Sequence, residues 1–124
     1  MNTRNCEELV KHVNDLYLSP LSAKSIDILE DDYGAIVTRK HSETGFQYFI
    51  SFKGRPFSAF VAKTPLSIGS SRDQFEIAVL KDGVLNYKTD VTSNTIGYLE
   101  EEDLMGILRL IYKLDENGRL PKED

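Results

Sequence analysis

With one cysteine in 124 residues, the chain cannot close a disulfide within itself, and a secreted disulfide scaffold is excluded. There are only two histidines, His12 and His41, and neither has a cysteine or another histidine at ligand spacing. The sequence therefore offers no zinc pattern and no nucleophile with an evident base. Walker and dinucleotide-binding fingerprints are missing too. The segment SIGSSR at 67–72 is only a faint phosphate-loop candidate and reads better as a loop with solvated serines. Apolar runs extend over a few residues, far below the roughly 20 needed to cross a bilayer. The first twenty residues carry charges throughout and are not expected to act as a secretory signal. A chain in a reducing, cytoplasmic setting without membrane spans is the expectation.

What is present is the composition of an ordinary folded domain, 40% hydrophobic and 28% charged. At this length one core is enough, and no repeat, linker or low-complexity tract divides residues 1–124, so a single domain is expected. The net charge of −5 argues against indiscriminate nucleic-acid binding, because cations supply most non-specific affinity for phosphate. The charges are nevertheless segregated. Between positions 33 and 72 stand Arg39, Lys40, Lys53, Arg55, Lys63 and Arg72, opposed only by Glu43. Between 73 and 104, Lys81 and Lys88 are outnumbered by Asp73, Glu76, Asp82, Asp90, Glu100, Glu101, Glu102 and Asp103.

Hydrophobic spacing sets the expected elements. Cys6, Leu9, Val10, Val13, Leu16 and Tyr17 recur as one face of a helix that Ser19-Pro20 would stop. Residues 26–30 and 35–40 read as two strands across the turn residues 31–34. A hairpin loop at 41–45, with Gly45 at the position needing positive φ, leads into the alternation of Phe46, Tyr48, Ile50 and Phe52. A tight turn before Pro56 leads into a strand over 57–62, and residues 62–73 read as a connecting loop. Strands at 74–81 and 84–88 flank Asp82-Gly83, the strongest hairpin signal in the chain. A short strand at 95–99 precedes a helix over 100–114, with Leu104, Ile107, Leu108, Ile111 and Leu114 on one stripe and Asn117-Gly118 as its end. The fold class expected is α+β: an N-terminal helix, an antiparallel β-meander of about five to seven strands, and a C-terminal helix, with both helices packed on one sheet face.

Several constellations bear on chemistry. Cys6 shares its stripe with Leu9, Val10 and Val13 and reads as a buried thiol rather than a nucleophile. The acids at 100–103 are consecutive on a helix and point about 100° apart, so they suit the helix dipole better than a metal ion. The aromatic run at 44–52 departs from the RNA-recognition pattern at Thr44 and Gln47, and the order of elements differs from that fold. No catalytic, cofactor-binding or metal-binding residue is assigned, and no enzyme activity is expected. Phe49 and Phe60 fall out of phase with the apolar alternation of their strands. With Arg39, Lys40, Lys53, Arg55 and Lys63 they form the candidate partner-binding set.

The segment FEIAVLKDG at 75–83, followed by IGYLEEEDL at 96–104 and an amphipathic helix, resembles the ends of short uncharacterised phage and prophage proteins. The resemblance covers roughly the last forty residues and supplies no catalytic residue. It implies a small accessory protein that binds a host or viral factor. A non-enzymatic protein-binding module is thus the leading expectation, with a homodimer as a further arrangement. The alternative is nucleic-acid binding through the basic, aromatic segment 33–72.

Overall fold

The computed structural model describes residues 19–42, 45–63, 73–92 and 95–122. The helix expected over Cys6 to Tyr17 lies outside these residues, as do Arg72 and most of the loop expected at 62–73.

The first described element is a helix where a strand was expected. Helix α1 spans Ala23–Tyr33, and residues 26–30 lie inside it. Ile26, Ile28 and Glu30 mimic the alternation of a strand, but the capping residues decide the matter. The Ser22 hydroxyl accepts a hydrogen bond from the Ser25 backbone N–H, satisfying one of the orphan donors of a helix start. At the other end Gly34 takes the left-handed conformation, with φ 62°, and returns its N–H to the Leu29 carbonyl. Leu29 is buried, while Ile26 and Tyr33 pack against the same core from the same face.

Six strands follow: β1 (Ala35–Ser42), β2 (Gly45–Phe52), β3 (Phe57–Lys63), β4 (Phe75–Lys81), β5 (Val84–Leu85) and β6 (Ile96–Leu99). All pairings are antiparallel, in the order β1-β2-β3-β4-β5, with β6 also on β4. The strand expected over 84–88 is shorter than anticipated. After Leu85 only the Asn86 N–H continues the ladder, to Val79. The chain then leaves the sheet and returns at Ile96 opposite Ile77. Because β3 occupies one edge of β4, β5 and β6 are two pieces of a single interrupted strand on the other edge. The excursion between them is tied to the C-terminal segment by Asp90, whose N–H reaches Gly118 O and whose carboxylate accepts from Leu120 N–H and Arg119.

Turn chemistry places the strands. Asp82 and Gly83 both have positive φ, 53° and 78°, as a two-residue hairpin of the twisted-strand type requires. At the β2–β3 turn Gly54 has φ 74° and Arg55 N–H closes onto Phe52 O, so Pro56 precedes β3 without removing a ladder donor.

Helix α2, Glu101–Lys113, begins with Glu101, Glu102 and Asp103 at the positive end of its dipole. It ends before Asn117-Gly118, because Leu114 turns extended; Gly118, with φ 77°, belongs to the turn that follows. Leu104, Leu108, Ile111 and Leu114 are fully buried against Tyr48, Ile50, Val61, Ile77 and Val79. Each such side chain contributes roughly 1.5–3 kcal/mol on burial. Tyr112 bridges the layers, its ring edge-on to Tyr33 of α1 at 5.1 Å and to Phe52 of β2 at 5.6 Å. Both helices lie on one side of the sheet, and the architecture is α+β as expected.

Candidate functional site

Strand register sorts the side chains of the sheet into two faces. On the helix side lie Tyr48, Ile50, Phe52, Phe57, Ala59, Val61, Ile77 and Val79. On the opposite face three rows cross the strands. One joins Ile36, Ser51, Ser58, Leu80 and Leu85; the next joins Thr38, Phe49, Phe60 and Ala78; the third joins Lys40, Gln47, Ala62 and Glu76. No described helix packs against this face.

Its centre is aromatic. Phe49 and Phe60 sit directly opposite one another on β2 and β3, their ring centroids 5.0 Å apart and their planes tilted by 55°. Phe49 remains 45% exposed, and Ile36 and Leu85 at the two ends of the first row are 59% and 49% exposed. The departure of Phe49 and Phe60 from the phase of the buried alternation is their signal in the sequence. Ile36 and Leu85 carried no comparable signal, because only the cross-strand register aligns them.

The seven candidate residues are not brought together. Lys40, Phe49 and Phe60 share the face that no described helix covers. Arg39 points to the other side, with its guanidinium 4.5 Å from the centre of the Phe46 ring. Lys63 is 3% exposed, its ammonium 3.0 Å from Asp73 Oδ1 and 3.8 Å above the Phe75 ring. The Asp73 carboxyl titrates below its ordinary value. Burial works to raise it and is outweighed by donation from Ser19 and by hydrogen bonding to, and the charge of, Lys63. Arg55 reaches the end of α2, donating from Nε to Tyr112 O at 2.7 Å and from Nη2 to Leu114 O at 3.4 Å. Its guanidinium also lies 5.1 Å from the Tyr112 ring centre, so it caps a helix C-terminus. Lys53 is exposed in the β2–β3 turn, its backbone N–H bonded to Gly34 O.

A second polar constellation sits where the helices meet. Glu101, in the first turn of α2, accepts from Ser22 N–H at 2.7 Å, from the Ser22 hydroxyl at 2.7 Å and from the Ser25 hydroxyl at 3.0 Å. One carboxylate thus serves the N-terminal ends of both helices. Its pKa is lowered: burial acts to raise it, and the donors from Ser22 and Ser25, with the charge of Lys63, prevail. Beside it runs an open groove of about 270 Å³ lined by Ser22, Ser25, Ile28, Glu101, Met105 and Arg109. The hydrogen bonds here hold one helix to the other.

Among the described residues no group of three or more histidines, cysteines or acids could hold a metal ion, and no helix is long and apolar enough to cross a membrane. No family model, curated protein or solved structure matches the chain.

Proposed function

We propose that this protein is a non-enzymatic accessory module that binds another protein through the sheet face that no described helix covers. The observation that carries the reading is the Phe49–Phe60 pair, two large rings in tilted contact across adjacent strands on a face that no described helix covers. Flanked by Ile36 and Leu85, with Lys40 at its rim, this arrangement has the make-up of an aromatic anchor with a polar border. The resemblance of the last forty residues to phage and prophage proteins supports a host or viral protein as the partner. The nucleic-acid reading has less support. Of the cations that motivated it, Lys63 is buried against Asp73 and Arg55 is bound to the end of α2, while Arg39 and Lys40 face opposite ways.

The test is affinity capture from the native host by the parent chain and by a Phe49→Ser/Phe60→Ser double variant, read by mass spectrometry at moderate salt. A protein retained by the parent and lost by the variant supports the proposal. Equal retention by both, or no protein that survives the salt, refutes it. Raised anisotropy of labelled oligonucleotides that depends on Phe49 would transfer the face to nucleic acid.

A further inference from the structure

The sheet has two edges, and they are unlike. One is made of β5 and β6, two and four residues long and broken by the excursion between them. The other is β1, eight unbroken residues that pair on one side only among the described residues. At about 3.4 Å per residue β1 offers an edge of roughly 27 Å.

The register states which backbone groups of that edge are open. Ser42 faces Gly45 at one end of the ladder, an even number of positions from the Gly34–Lys53 pair whose hydrogen bond fixes the phase at the other, so it is a bonded pair. Bonded pairs then recur at every second position, through Lys40, Thr38 and Ile36 to Gly34, whose carbonyl accepts from Lys53 N–H at 3.1 Å. The residues between them direct their backbone groups the other way. Val37 and Arg39 therefore present N–H and C=O outward, in the middle of the strand, as a row ready to receive another strand. No proline or bulge interrupts it.

The charges select the guest. β1 contains Arg39 and Lys40 and no acid, and neither cation makes an ion pair with another described residue. Arg39 lies on the helix side and Lys40 on the open face, so both rows of an added strand pass a cation. A second copy of β1 would instead gather four cations along one seam. From these observations we infer that β1 is a strand-addition site for an extended acidic peptide segment of a partner protein. The inference rests on the protein-binding reading but uses a different surface from the aromatic pair. An added strand would lie beside Ile36 and Thr38, extending the two rows that contain the exposed apolar residues.

The test uses the full chain and a displayed library of random twelve-residue peptides, from which enriched sequences are synthesised and titrated. Enrichment of acidic, proline-free sequences is expected. Arg39→Pro removes one outward N–H while leaving the β1–β2 ladder intact, and Arg39→Gln removes the charge alone. Binding should fall at least tenfold for the proline variant and severalfold for the glutamine variant. Independently of any variant, amide exchange at Val37 and Arg39 of the parent should slow at least tenfold when peptide binds. No enrichment, unchanged exchange at these two amides, or equal binding by a folded Arg39→Pro variant would overturn the inference. So would concentration-dependent self-association in sedimentation that Arg39→Pro abolishes, since the edge would then belong to a second copy. Loss of peptide binding in the double phenylalanine variant would assign the peptide to the aromatic face and leave β1 without a role.

Discussion

Glu101 makes the most direct test of how the helical layer is held. Its carboxylate accepts three hydrogen bonds from the start of α1, at 2.7, 2.7 and 3.0 Å. In a dry interior each bond to a charged acceptor would contribute about 1.5–3 kcal/mol. This site opens onto a watery groove, and screening brings each to about 1 kcal/mol or less. Glu101→Ala should therefore cost about 2–3 kcal/mol, since it also removes a favourable charge from the ends of both helices. For a domain of this size that is a fall in Tm of roughly 6–15 °C. Glu101→Gln keeps one oxygen acceptor and should cost about half as much. In a double-mutant cycle with Ser25→Ala, a coupling of about 0.5–1 kcal/mol is expected. The pH dependence has a definite sign. Because the folded pKa lies below the ordinary value of 4.5, the contribution is complete above that value and is lost as pH falls through the lowered one. The gap between parent and Glu101→Ala should be widest at neutral pH and close progressively in acid below about pH 4.5. Thermal unfolding followed by circular dichroism at several pH values measures it. Equal melting temperatures at neutral pH, or a gap that persists undiminished at about pH 2.5, would refute the account.

Other expectations concern residues whose role the sequence alone left open. Arg55→Ala should lower stability by about 1–2 kcal/mol through lost capping of α2, with Arg55→Lys recovering only part because the fork and the ring contact are not reproduced; denaturant titration reads this directly. Lys63→Met should change stability by less than about 1 kcal/mol, because a buried cation gives way to an apolar chain of similar volume while Asp73, 46% exposed, retains water; a loss above about 3 kcal/mol in urea unfolding would contradict it. Gly118→Ala should destabilise by about 1–2 kcal/mol, since φ is 77° and the new methyl would stand 3.1 Å from Lys88 O; calorimetry provides the check.

The elements legible in the sequence are those whose signals are local. Asp82-Gly83 specifies its own turn, the alternation from Phe46 to Phe52 specifies β2, and the stripe from Leu104 to Leu114 specifies α2. Residues 26–30 misled because three alternating positions outweighed Ser22 and Gly34, the two caps that mark α1. Phe49 and Phe60 could be picked out by phase, but their contact depends on a register that only the folded sheet provides. The basic cluster was a cluster in sequence alone: alternation sends neighbours such as Arg39 and Lys40 to opposite faces, and burial takes Lys63 out of solvent. The role of Glu101 was hidden for a similar reason. Its place in the first turn of a helix was visible, whereas its partners lie 76 and 79 positions away.

The broken strand formed by β5 and β6 also limits how far this sheet can grow. Its pieces are short, its ladder to β4 shifts register between Phe75 and Ile77, and Tyr98 adopts φ 61° where a regular strand would run flat. A strand added at β1 would therefore have no edge of the same length and regularity opposite it, and the two edges of this sheet are not interchangeable.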